Sequence, residues 1–272
     1  MSLLRTLHIL DAMANIDKHS PGAFCWIELA TTDQAAAKKF YSSLFGWSID
    51  DNPMGPDEYY TMFKLNDRNT GAAYTMRKEQ REQGVPSHWG IYMSAANADE
   101  AAAKAGRLGA TVLAPAFDVF DAGRMAVLRD PTGAIFSVWQ PKKHAGIRVA
   151  GEDNAFCWAD LSTPDPERGA KFYSDLFGWK VEKSENDASG YLHIKNGNDF
   201  IGGIPPAQHR NPQVPPHWLI YFQVADVEAT ATKAQQSGGK ILMPAKTMEG
   251  VGTWAILADP QGAVFAIFKS GR

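Results

Sequence analysis

The sequence has only two cysteines in 272 residues, Cys25 and Cys157. Neither lies in a C-x-x-C pair, so a disulfide framework and a four-cysteine zinc site are both excluded, and a reducing, cytoplasmic compartment is expected. There is no apolar run of the roughly 18 residues that a membrane-spanning helix needs. Basic excess is missing too: 27 Lys and Arg stand against 30 Asp and Glu, a formal net charge of −3. A nucleic-acid partner would find no electrostatic footprint on such a chain. The G-x-S-x-G, P-loop and dinucleotide-binding fingerprints are also lacking, which removes the usual support for those enzyme classes.

What remains is a chain that is 44% hydrophobic and 11% aromatic, apolar enough for a packed core and long enough for two domains. The start, residues 1–20, carries Leu3, Leu4, Leu7 and Leu10 at helical spacing, but Asp11 interrupts any signal-peptide core. It is read as a short amphipathic arm.

An internal repeat decides the domain count. The segment from Phe24 to Trp47 returns from Phe156 to Trp179 with 14 of 24 positions identical. Val85 to Gln140 returns as Val214 to Lys269 with 22 of 56 identical. The offset falls from 132 to 129 between these blocks, so the second copy is expected to have lost three residues in its connecting hairpin region. Domains are therefore expected over 21–141 and 154–272, joined by an exposed linker over 142–153. Each copy predicts the order βαβββ twice. Asp33 and Asp165 are expected as helix N-caps, Gly46 and Gly178 as C-caps, and D-P-x-G at Asp130 and Asp259 as tight turns.

The D-x-x-x-A-x-x-F-Y-x-x-L-F-G-W block at Asp33, repeated at Asp165 with Gly169 in the alanine position, the H-W-x-I-Y strands at His88 and His217 and the D-P-x-G-A-x-F turns together resemble the vicinal oxygen chelate superfamily of glyoxalases, bleomycin-resistance proteins and extradiol dioxygenases. The likeness covers about nine tenths of the chain. It implies an α+β fold of four βαβββ modules in two tandem glyoxalase-like domains, with mixed sheets curled into cups, helices outside and a small-molecule pocket within. It also implies a divalent metal held by His, Gln or Glu at set positions. Those positions here carry Trp26, Gly90 and Ser137 in the first copy and Trp158, Leu219 and Ala266 in the second. No cofactor is therefore expected; a divalent metal remains open only through a displaced site, such as one built from Glu28, His88 and a third ligand.

Strand alternation places Trp26 and Glu28 on one face of their strand and Cys25, Ile27 and Leu29 on the other, and it repeats this with Trp158 and Asp160. A carboxylate on an apolar inner face needs a partner. Glu28 and Asp160 are candidate acid-base or ligand-binding groups, or they are tied internally to a Tyr hydroxyl or an indole N–H. His88 and His217 are candidates as well, with a bond to a backbone carbonyl the plainer role for each. The remaining inward positions expected to bind ligand are Tyr92, Met125, Ser137 and Trp139 in the first cup and Tyr221, Trp254 and Phe268 in the second; such aromatic strands also serve as ordinary core. The resulting expectation is a monomer or homodimer, without membrane or nucleic-acid partners, that binds a small organic molecule in one or both cups. The alternative is a glyoxalase-related lyase or oxygenase using a displaced metal or acid-base carboxylates.

Overall fold

The computed structural model describes residues 15–183 and 189–271. The leucine-bearing beginning of the arm lies outside the described residues. The first half runs β1 (Phe24–Thr31), α1 (Gln34–Phe45), β2 (Ser48–Gly55), β3 (Glu58–Leu65), β4 (Arg68–Thr75), α2 (Lys78–Glu82), β5 (His88–Ser94), α3 (Ala98–Arg107), β6 (Thr111–Val119), β7 (Gly123–Arg129) and β8 (Ile135–Pro141). The second runs β9 (Phe156–Ser162), α4 (Pro166–Phe177), β10 (Lys180–Lys183), β11 (Leu192–Asn196), β12 (Asp199–Ile204), β13 (His217–Gln223), α5 (Val227–Gln236), β14 (Lys240–Met248), β15 (Gly252–Ala258) and β16 (Val264–Ser270).

Each half forms one eight-stranded mixed sheet, ordered β2-β3-β4-β1-β5-β8-β7-β6 and β10-β11-β12-β9-β13-β16-β15-β14. The fold is thus α+β, with two tandem glyoxalase-like domains. Consecutive modules pair within a half, because β1 and β5 run antiparallel at the centre while each lies parallel to its own module's last strand. The helix termini follow their chemistry. Asp33 and Asp165 accept backbone N–H groups of the first turn, and Gly46 and Gly178 end α1 and α4 at φ 73° and 76°, a region open to glycine at little cost. A short helix, α2, lies between β4 and β5, and β2 begins just after Trp47, whose ring is buried in the core.

Two details alter the sequence reading. Residue 25 is the extra residue of a bulge: Trp26 faces Tyr92 while Phe24 faces Met93, so Phe24 turns away from the cup and packs edge-on against Phe156, Trp179 and Trp218. The three missing residues are also shared between two places. Glu28 pairs with Ala72 and Asp160 with Gly203, an offset of 131, so one residue is lost before β12 and two more between β12 and β13, where a single 3-10 turn over Ala207–His209 stands in place of α2.

The helix-bearing faces of the halves meet, and the repeated F-Y-x-x-L-F-G-W block builds that junction. Phe45 and Tyr41 of α1 pack on Phe222 and Phe265 of the other half, at ring separations of 4.9 and 5.6 Å. Reciprocally, Tyr173 and Phe177 of α4 pack on Phe136. The polar bonds repeat with the same symmetry. Trp47 donates to the carbonyl of Asn154, and Trp179 to that of Gly22; Lys233 reaches the carbonyl of Leu44, and Lys104 that of Leu176.

The connecting segment is less exposed than its composition suggested. Ile147 and Val149 are buried, and the N–H of Ile147 donates to the Cys25 carbonyl at 2.8 Å. A side chain at Gly146, where φ is 119°, would strike that same carbonyl, so the close approach requires glycine. Among the described residues no helix is long and apolar enough to cross a membrane.

Candidate functional site

In each half the central strands bring one carboxyl group and two tyrosines together. Trp26 and Glu28 alternate on the cup face of β1, and Tyr92 stands across from Trp26 on β5. Tyr60 comes from β3, whose other face buries Thr61, Phe63 and Leu65. Glu28 accepts from Tyr60 at 2.8 Å on one oxygen and from Tyr92 on the other. The Trp26 indole donates to the Tyr60 hydroxyl at 2.9 Å, which orients that hydroxyl toward the carboxylate. Burial holds the Glu28 carboxyl above its usual range, opposed by the bonds from Tyr92 and Tyr60.

The second half repeats the arrangement with one methylene less. Asp160 accepts from Tyr191 at 2.5 Å and from the Trp158 indole at 3.0 Å on one oxygen, and from Tyr221 at 2.8 Å on the other. Its carboxyl is likewise raised by burial, against the bonds from Tyr191, Tyr221 and Trp158. Both carboxyl groups therefore have tyrosine hydroxyl partners of the kind weighed for them from the sequence, and Asp160 has the indole N–H as well. Tyr60 and Tyr191 were missed there, although alternation along Tyr59 to Leu65 carries the signal for the first.

Both cups contribute walls to one large cleft of about 3030 Å³. Its lining includes Trp26, Glu28, Tyr92, Met125, Ser137 and Trp139 from the first half and Trp158, Asp160, Tyr221, Trp254 and Phe268 from the second. His88 and His217 lie on the same lining, each with Nδ1 bonded to a carbonyl two residues earlier, Pro86 at 2.8 Å and Pro215 at 2.9 Å. No sequence pattern points to His144 as part of this lining. It comes from the connecting segment and stands edge-on to Trp26 at 4.3 Å, while the Trp139 indole donates to its carbonyl. Burial pushes its imidazole down to about 4, and its Nε2 has no hydrogen-bond partner among the described residues.

Cys25 is fully buried, and burial pushes its thiol up; the same holds for Cys157, which is partly open to the second cup. Neither is set up as a nucleophile, since the thiolate is disfavoured.

The residues present do not fit a divalent metal of the family type. Trp26 and Gly90 offer no usable donor, Ser137 offers one hydroxyl, and the second cup has Trp158, Leu219 and Ala266. The nearby carboxylates already accept from two tyrosines each. Among the described residues no group of three or more His, Cys, Asp or Glu is gathered closely enough to hold an ion.

Comparison with known proteins bears directly on this architecture. The sequence profile of the Glyoxalase/Bleomycin resistance protein/Dioxygenase superfamily matches residues 23–138 and again 155–267. A Mycobacterium tuberculosis protein named "Putative glyoxylase CFP32" is 39% identical over 261 residues, covering 94% of this chain and 98% of that protein. "Anthracycline biosynthesis protein DnrV" of Streptomyces peucetius is 30% identical over 270 residues, covering 93% and 94%. Among solved structures, the Mn(II)-bound glyoxalase from Novosphingobium aromaticivorans superposes with a TM-score of 0.64 at 18% identity, covering 92% of this chain and 83% of that one. A 2,3-dioxygenase from a Pseudomonas species gives 0.60 at 14%, covering 96% and 94%. At such identities these two structures speak for the fold alone.

Proposed function

Since the chain belongs to the Glyoxalase/Bleomycin resistance protein/Dioxygenase superfamily, we propose that it binds a small organic molecule in its cups without the divalent metal used by the family's catalysts. The observation that carries this reading is the replacement of ligand residues at all six expected positions by Trp26, Gly90, Ser137, Trp158, Leu219 and Ala266. In place of a metal, each cup offers a carboxyl group held by tyrosine hydroxyls inside an aromatic wall. That chemistry suits a flat molecule with a few polar groups. Two relatives that bear the name anthracycline biosynthesis protein are compatible with an aromatic ligand of this kind. Elemental analysis of protein purified without chelator, paired with thermal-shift screening of aromatic compounds, tests the proposal. Ligand-dependent stabilisation of metal-free protein is expected; one tightly held divalent ion per cup would overturn it.

One observation favours a second reading. Both carboxyl groups are raised by burial toward the range in which a general acid or base works. A glyoxalase-like lyase or dioxygenase-like enzyme could use Glu28 or Asp160 in that role. Turnover of an α-ketoaldehyde or a catechol that vanishes in Glu28→Gln or Asp160→Asn would favour catalysis over binding.

A further inference from the structure

The two cups are not equivalent at their carboxyl groups. Directly across the central strand pair, Glu28 faces Gly90, whereas Asp160 faces Leu219. Residues opposed in this way share a face and lie close enough for side chains to touch. A Cβ at Gly90 would meet nothing nearer than Glu28 itself, at 3.7–3.8 Å, so the space that Leu219 fills in the second cup stands open in the first. Burial follows the same division: Asp160 is only 6% exposed, while Glu28 is half-buried. Hydrogen bonding does too. Asp160 accepts from two tyrosines and also from the Trp158 indole, which it shares with the Tyr191 hydroxyl, whereas Glu28 accepts from two tyrosines and the Trp26 indole reaches only Tyr60. A carboxylate has about four acceptor sites, so Glu28 keeps spare capacity on its open side.

We infer that the first cup alone presents its carboxyl group to a ligand, and that this ligand is an uncharged aromatic molecule carrying a hydroxyl donor, bound once per chain at Glu28. The inference rests on the small-molecule reading above and names the cup and the ligand chemistry. An anionic ligand is disfavoured because Glu28 would repel it from a site of low dielectric. The aromatic preference comes from the wall beside Glu28, where Tyr92, Trp139 and Met125 lie on neighbouring strands.

Calorimetric titration with 2-naphthol and with its methyl ether, 2-methoxynaphthalene, provides the test. One 2-naphthol per chain is expected, with the ether, which has no donor, bound at least about tenfold more weakly, as loss of a hydrogen bond to a charged acceptor implies. Gly90→Leu should weaken 2-naphthol by a similar factor, and Leu219→Gly should leave that site's affinity unchanged. Equal affinity for alcohol and ether, two equal sites per chain, or binding that follows Leu219 and Asp160 instead of Gly90 and Glu28 would overturn the inference while leaving small-molecule binding intact. Should Gly90→Leu fail to fold, the alcohol-to-ether comparison on the unaltered protein still decides. Absence of binding by either compound, together with no hit among other aromatics in the thermal-shift screen, would count against the functional reading itself and this inference with it.

Discussion

The hydroxyl of Tyr41 donates to the carboxylate of Asp259 at 3.1 Å, across 218 residues of chain, and takes a bond from the Trp89 indole in return. The opposite corner repeats this with Tyr173, Asp130 and Trp218. Asp259 uses its other oxygen to close its own D-P-Q-G turn, accepting from the N–H groups of Gln261 and Ala263. One carboxylate thus shapes a turn and docks the other half of the molecule. Two motifs that define the repeat in sequence are interdomain contacts in space.

Tyr41→Phe should therefore destabilise the whole chain rather than one half. It leaves the Trp89 indole without its acceptor and one oxygen of Asp259 without its donor in a buried setting, a loss of about 1–3 kcal/mol. Equilibrium urea denaturation followed by tryptophan fluorescence reads this as a lower midpoint, and Tyr173→Phe should give a loss of the same order. A midpoint unchanged in both variants would show that the aromatic packing at 5.6 Å from Tyr41 to Phe265 carries the junction alone.

Much of this architecture was legible because it is written in short-range rules. Asp33 and Asp165 cap helices, Gly46 and Gly178 end them, and two-residue alternation put Trp26 and Glu28 on one face. What was not legible depends on geometry between distant segments. The bulge at Cys25 breaks the alternation and sends Phe24 into the junction, and nothing in the order F-C-W announces it. Tyr60 and Tyr191 lie near residues 28 and 160 only because β3 and β11 come into place beside the inner strands. His144 looked like a residue of an exposed linker, but the buried anchors Ile147 and Val149 draw its segment against Cys25 and Trp26.

His144 gives the protein a defined weakness toward acid. Burial lowers its imidazole from the ordinary 6.5 to about 4, so the folded state resists a proton that the unfolded chain accepts. The unfolded state then binds more protons, and stability falls as pH drops through the interval from 6.5 to about 4. His144→Asn should flatten that part of the stability profile. Melting temperatures taken every half unit across this interval would check it, and parallel curves for variant and parent would refute the assignment.

Glu28 acts with the opposite sign. Its carboxyl is raised above the ordinary 4.5 by burial, so the folded state holds the proton more tightly than the unfolded one. The stabilisation is complete below the unfolded value and disappears as pH rises through the folded one. Glu28→Gln removes this titration, and its stability should lose the decline with rising pH that the parent shows above 4.5. Urea titrations at several pH values separate this from a uniform loss, which is what a misplaced amide between two tyrosine hydroxyls would cause.

The two carboxyl clusters also differ in a pair of residues that must change together. Asp160 is shorter than Glu28, so Tyr191 has to reach further over the sheet than Tyr60 does, and its ring crosses β12 directly above Gly203. A Cβ at that glycine would lie 1.9 Å from the Tyr191 hydroxyl, an impossible contact. At the matching position of the first half stands Ala72, which is tolerated because the longer Glu28 side chain extends to meet Tyr60 at 2.8 Å. Gly203→Ala should then push Tyr191 away from Asp160 and cost about 1–3 kcal/mol, the usual range for overpacking. Ala72→Gly should cost less, since it removes one methyl group and displaces nothing. Combining Gly203→Ala with Asp160→Glu should recover part of the loss by rebuilding the geometry of the first half in the second. A double variant no more stable than Gly203→Ala alone would show that chain length at the carboxylate does not dictate the glycine.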